Sequence, residues 1–199
     1  MKIKGFFMGE KSFIRRWIYI SFIFFIIGIT IGAVYCVVLD AEADSSLNNY
    51  LIKYFSNIKG ENSSITVFKN ALIGYVRLTV IIYLCAFVRP GAVGSIAAVM
   101  IKGFTSGFTN ASLIKYFGVK GLLIPGVSFL TVMLYLPALL AMAAGSVNCS
   151  LNRYRGERGQ LKAFTCLAIC CFTIFCAASL SDAFITTTFM KLIAPVFTK

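Results

Sequence analysis

From Trp17 to Leu39 the chain runs 23 residues without one charged side chain. Coiled as an α-helix rising about 1.5 Å per residue, the stretch is roughly 35 Å long, enough to cross a hydrocarbon core of roughly 30 Å. A spanning segment must satisfy its backbone N–H and C=O groups within itself, which makes helix the form such a run adopts. Four further apolar runs follow, at about Val67–Val88, Ala92–Phe108, Leu122–Val147 and Ala163–Ile185. Composition supports the pattern: 59% of residues are hydrophobic and 13% charged, against roughly 45–50% and about 25% in soluble domains. The expected fold is an all-α, polytopic integral membrane bundle of about five transmembrane helices, one membrane domain over residues 1–199.

The basic residues orient it. Lys2, Lys4, Lys11, Arg15 and Arg16 precede the first run, and Asp40, Glu42 and Asp44 follow it. The positive-inside bias therefore places the N-terminus in the cytoplasm. The Arg89-Pro90-Gly91 turn and the cluster Arg153, Arg155, Arg158 and Lys162 then also lie inside, and the C-terminus outside. Ten basic residues fall inside and seven outside, with Arg77 and Lys102 at membrane depth, which recovers all 19. Ala41-Glu42-Ala43 imitates a signal-peptide cleavage site, but the run before it exceeds the usual 7–15-residue apolar core, so an anchor is expected.

Between the first two crossings, Leu47, Tyr50, Leu51, Tyr54, Phe55 and Ile58 fall at helical spacing within Ser45–Lys59. This predicts an amphipathic outer helix, started by Asp44 or Ser45 as cap, whose apolar stripe rests on the outer leaflet, roofs the bundle or docks a partner. The third crossing is the weakest, because Gly94, Lys102, Gly103, Thr105, Ser106 and Gly107 dilute it; a broken or re-entrant helix is the alternative. Asn110–Lys120 reads as an outer linker with a short interfacial turn around Leu113, Ile114 and Phe117. In the fourth crossing Pro125 sits near the start, where proline is tolerated, and Pro137 inside, where it should kink the helix.

Chemistry is sparsely provided. There are no histidines and seven acids, which removes the usual general base, the serine–histidine pair and HExxH. An aspartyl dyad needs two membrane acids, and Asp182 stands by itself. Walker and Rossmann glycine motifs are missing, so no cofactor is expected. The seven cysteines, mostly within apolar runs, read as small buried residues. A net charge of +12 is accounted for by the cytoplasmic flanks rather than by nucleic acid.

Two constellations remain. Arg77, Lys102 and Asp182 each cost about 2.5–3.5 kcal/mol at mid-membrane on insertion scales, which marks such residues as functional candidates. Arg77 and Lys102 should share a depth of roughly 18 Å from the inner surface, with Asp182 at roughly 30 Å. They could form an anion pocket, a groove for a partner's transmembrane helix, or an Arg77–Asp182 pair that merely holds the bundle together. The second constellation is a pair of GxxxG spacings, Gly28/Gly32 and Gly103/Gly107, where two backbones can approach closely, within the chain or between chains.

Lys102-Gly103-Phe104-Thr105-Ser106-Gly107-Phe108, then Gly118-Val119-Lys120-Gly121-Leu122-Leu123, then Tyr135-Leu136-Pro137-Ala138 resemble the stage II sporulation protein M family. The order of these motifs carries more weight than any one of them, and the basic tail, first anchor, outer segment and length agree. The resemblance implies a multi-pass protein of the cell membrane in endospore-forming bacteria, required when the mother cell engulfs the forespore. It implies a scaffold associated with two membrane-anchored peptidoglycan hydrolases, an amidase and a lytic transglycosylase, and brings no catalytic residues. The competing class is a transporter or channel component with an anion path lined by Arg77 and Lys102 and a broken helix at Pro137.

Overall fold

A computed structural model describes residues 11–40, 42, 44–49, 63–88, 90–121, 123–154 and 160–186. The basic tail before Lys11, Arg89, Arg155 and Arg158, and Lys191 and Lys199 lie outside these residues. Five long helices are present among them: α1 (Lys11–Val37), α2 (Ser63–Cys85), α3 (Gly91–Gly121), α4 (Leu123–Tyr154) and α5 (Gln160–Ser181), the last continued by a π-helical turn at Asp182–Thr186. Each contains a segment long and apolar enough to cross a membrane.

A bundle in lipid has an apolar solvent and an apolar interior, so the two faces of a helix differ in side-chain size and polarity rather than in hydrophobicity. α4 shows the consequence. Two thirds of its spanning segment is buried (67%), against 11% for α2, because it presents Ala138, Ala143, Ala144, Gly145 and Ser146 to its neighbours. Around it gather Phe25 of α1, Tyr75 and Ile82 of α2, Ala98 and Val99 of α3, and Cys171 and Phe175 of α5. Two stacked pairs fasten the layers: Tyr75 on Phe175 at 5.6 Å and Tyr83 on Phe164 at 5.7 Å. Large residues such as Ile23, Val34, Ile73, Leu84, Ile169 and Phe184 point outward, where acyl chains solvate them.

The two glycine pairs meet each other. A Cβ on Gly28 would strike the Met100 carbonyl and one on Gly32 the Phe104 carbonyl; from the other side, Gly103 abuts the Phe25 carbonyl and Gly107 the Ile29 carbonyl. The partner numbers rise together along both helices, so α1 and α3 run parallel with interleaved backbones. Both GxxxG spacings are used within the chain.

The third crossing departs from its expected extent. α3 neither breaks at membrane depth nor ends near Phe108; it continues to Gly121. Its interruption lies instead at Gly118, at φ 57° and ψ −139°, a left-handed φ that glycine adopts without a Cβ clash. Residues 110–117 are helical rather than a linker because α1 runs beside them: Ser112 and Leu113 are buried, and Ser112 Oγ lies 3.2 Å from Cys36 Sγ. α4 is helical on both sides of Pro137.

Two polar stitches hold the ends. At the α2–α3 turn, Ser146 donates to the Ile82 carbonyl at 3.0 Å and Ser150 to the Val88 carbonyl at 3.0 Å. Ser95 and Ser146 share a 2.7 Å hydrogen bond. The Ile82 carbonyl belongs to the last turn of α2, where carbonyls lack an intrahelical partner, and the Val88 carbonyl also accepts the Gly91 N–H at 3.0 Å across the turn. At the far end, Lys115 Nζ lies 2.6 Å from Asp44 Oδ1 and donates to the Cys36 carbonyl at 3.2 Å, while Tyr116 donates to the Asp44 carbonyl at 3.1 Å and to its carboxylate. Asp44 is thus a clamp on α3 rather than a helix cap, and Ser45 donates back to the Glu42 carbonyl at 2.9 Å instead of capping.

Candidate intramembrane polar site

Along α3, Lys102, Thr105, Ser106, Thr109 and Asn110 recur at intervals of three and four residues, which places them on one face. Gly103 and Gly107 occupy the face against α1. The residues that make the third run weakly hydrophobic are therefore sorted by the helix into two functional sides, one for close packing and one polar. The polar side lines a partly open cavity of about 340 Å³, closed by Tyr75 of α2, Thr131, Val132 and Tyr135 of α4, and Asp182 of the π-helical turn.

Lys102 Nζ lies 5.2 Å from the Tyr75 ring centroid and 5.3 Å from that of Tyr135. The two rings are 5.5 Å apart and inclined by 53°, a cleft in which an ammonium meets two π faces. Tyr75 donates to Asp182 Oδ2 at 3.5 Å, the long limit for such a bond. Thr131 is 2% exposed, its hydroxyl has no hydrogen-bond partner, and it lines the cavity together with Asp182. Thr105 and Thr109 spend their hydroxyl protons on the Lys102 and Thr105 carbonyls, at 3.0 and 2.8 Å, so each turns only lone pairs to other groups. Among the described residues the ion pair is Lys115–Asp44; Lys102 and Asp182 share a cavity without touching.

Of the three ionisable residues singled out from sequence, the structure brings Lys102 and Asp182 together and leaves Arg77 out. Arg77 is exposed on α2, outside the cavity wall, and forms no pair with Asp182. Tyr75, two residues earlier and therefore on another side of α2, faces the cavity in its place. Tyr75, Thr105, Ser106, Thr109, Asn110, Thr131 and Tyr135 were not legible as a site one at a time, although the five-residue polar face of α3 is visible as a 3.6-residue period. In the outer segment, Leu47 lies in a helical stretch over 44–49 and is half-buried. Tyr50, Leu51, Tyr54, Phe55 and Ile58 lie outside the described residues. Among the described residues no cluster of three metal-ligating side chains occurs.

Five apolar helices packed into one bundle, with charged and hydroxyl side chains lining a partly open cavity between them, define a multi-pass α-helical membrane protein. More specifically, the chain belongs to the stage II sporulation protein M family, whose family model matches residues 21–187, from the first helix through the π-helical turn. That family is associated with sporulation and is not known as a family of enzymes. Neither a curated protein nor a solved structure matches the chain significantly.

Proposed function

We propose that this protein is a non-enzymatic scaffold of the cell membrane during forespore engulfment, holding membrane-anchored peptidoglycan hydrolases, an amidase and a lytic transglycosylase, at the septum. The observation that carries the reading is the family match over residues 21–187, which takes in part of α1 and all of α2 to α5. The architecture is consistent with it: α1, α2 and α5 carry long rows of exposed large apolar residues, surfaces against which another anchor helix can lie laterally in the bilayer. The outer segment, tied to α3 through Asp44, Lys115 and Tyr116, leads from the first anchor into the region where wall enzymes work.

Copurification from sporulating cells in mild detergent tests this. The reading expects both hydrolases to be recovered with the tagged protein, and their septal localisation to be lost in its absence. Recovery of neither enzyme, combined with normal hydrolase localisation in a deletion strain, would refute it. Solute flux in reconstituted vesicles measures the competing transport reading. Of the two bases that reading invokes, Lys102 lines the cavity and Arg77 does not.

A further inference from the structure

Lys102 and Asp182 present an unusual electrostatic arrangement. Opposite charges buried together ordinarily neutralise one another by contact. Here both line one cavity, yet no ion pair joins them. The ammonium rests against two tyrosine rings, with no acceptor among the described residues taking its N–H donors. Among the described residues the carboxylate receives a long bond from Tyr75. Beside it Thr131, 2% exposed, has an unpartnered hydroxyl on the cavity wall. The two side chains thus line one space of about 340 Å³ without an ion pair between them, a volume at the lower end of the roughly 300–1,000 Å³ typical of ligand sites.

From this geometry we infer that the cavity is a binding site for a zwitterion, with its anionic group held by Lys102 and its ammonium by Asp182 and the Thr131 hydroxyl. An anion without an ammonium leaves Asp182 facing like charge, and a cation without an anion does the same to Lys102. Only an occupant of both signs answers both groups at once. The chemistry is that of a free amino-acid-like solute or of an ethanolamine phosphate lipid headgroup. It is independent of the scaffold reading, since a scaffold can hold such a ligand structurally and a hydrolase partner need not contact it.

The test uses the full-length protein in detergent and in nanodiscs. Isothermal titration in detergent measures glycine and O-phosphoethanolamine against ethanolamine and inorganic phosphate at matched ionic strength. Native mass spectrometry measures lipid retained from phosphatidylethanolamine nanodiscs and from phosphatidylglycerol nanodiscs. The proposal expects a zwitterionic probe to bind at least tenfold tighter than either single-charge control. Saturation by a soluble zwitterion identifies a free solute; retention of phosphatidylethanolamine without soluble binding identifies a headgroup. Lys102→Met and Asp182→Asn should each weaken binding at least tenfold, and Thr131→Val about threefold. If Asp182→Asn does not fold, Asp182→Glu, which shifts the carboxylate by one methylene, should lower affinity at least threefold. Equal binding of phosphate or ethanolamine, binding unchanged by Lys102→Met, or no binding in any arm overturns the proposal.

Discussion

At the scale of single residues, environment separates side chains that look alike in sequence. Arg77 and Lys102 are both bases within apolar runs, but Arg77 is exposed and Lys102 sits between two tyrosine rings. Replacing Arg77 by Gln is expected to change stability in detergent by less than about 0.5 kcal/mol, the range of surface substitutions away from networks; thermal unfolding of the purified protein checks it. A loss of several degrees would mean that Arg77 has a structural partner. The same contrast separates Asp44 from Asp182. The hydrogen bond from Lys115, then that from Tyr116, hold the Asp44 carboxyl below its ordinary value of 3.8. Because the folded value is depressed, the contribution of the clamp is complete above pH 3.8 and is lost as pH falls through the folded value. Hydrogen exchange of residues 44–49 should therefore quicken on acidification below that point, beyond the intrinsic change, and Asp44→Asn should be fast and insensitive over the same interval.

Among helices, backbone proximity rather than hydrophobic burial supplies the contact energy, since lipid is as apolar as leucine. The α1–α3 interface depends on four missing side chains. Gly107→Ala places a methyl against the Ile29 carbonyl and Gly32→Ala against that of Phe104. Each is expected to destabilise the bundle by about 1–3 kcal/mol, the usual range for overpacking, read as a lower melting temperature in detergent. Gly74→Ala is the matched control: nothing lies within 4 Å of its added Cβ, and removing a mid-helix glycine should stabilise by about 0.5–1 kcal/mol. If Gly107→Ala and Gly74→Ala behaved alike, the interleaved geometry would be wrong. The serine stitch is a milder case. Ser146→Ala removes a bond to the Ile82 carbonyl and one to Ser95, with an expected loss of about 0.6–1.7 kcal/mol, as for other hydrogen bonds between membrane helices.

Across the whole molecule, the sequence carries five runs long and apolar enough to cross a bilayer, because the length and apolarity of each run are local properties and a bilayer leaves helix as their form. It also carries, in the order of its glycine, lysine and proline motifs, the resemblance to the family, whose model matches residues 21–187. It showed that Gly28, Gly32, Gly103 and Gly107 could make close contacts, but not with whom, since a GxxxG spacing serves equally between chains and within one. It misjudged residues 110–117, where polar side chains imitate a linker, because the reason for their helicity is α1 alongside and a clamp from Asp44, far away in sequence. That Tyr75 rather than Arg77 faces Lys102, and that Asp182 shares a cavity with it, follows from how the helices pack. Depth along a helix follows from counting residues, whereas direction around its axis depends on which neighbours occupy each side. In a chain whose lipid-facing and inward-facing surfaces are both apolar, hydrophobicity carries little of that second kind of information, and the packing of α4 against the other helices supplies it.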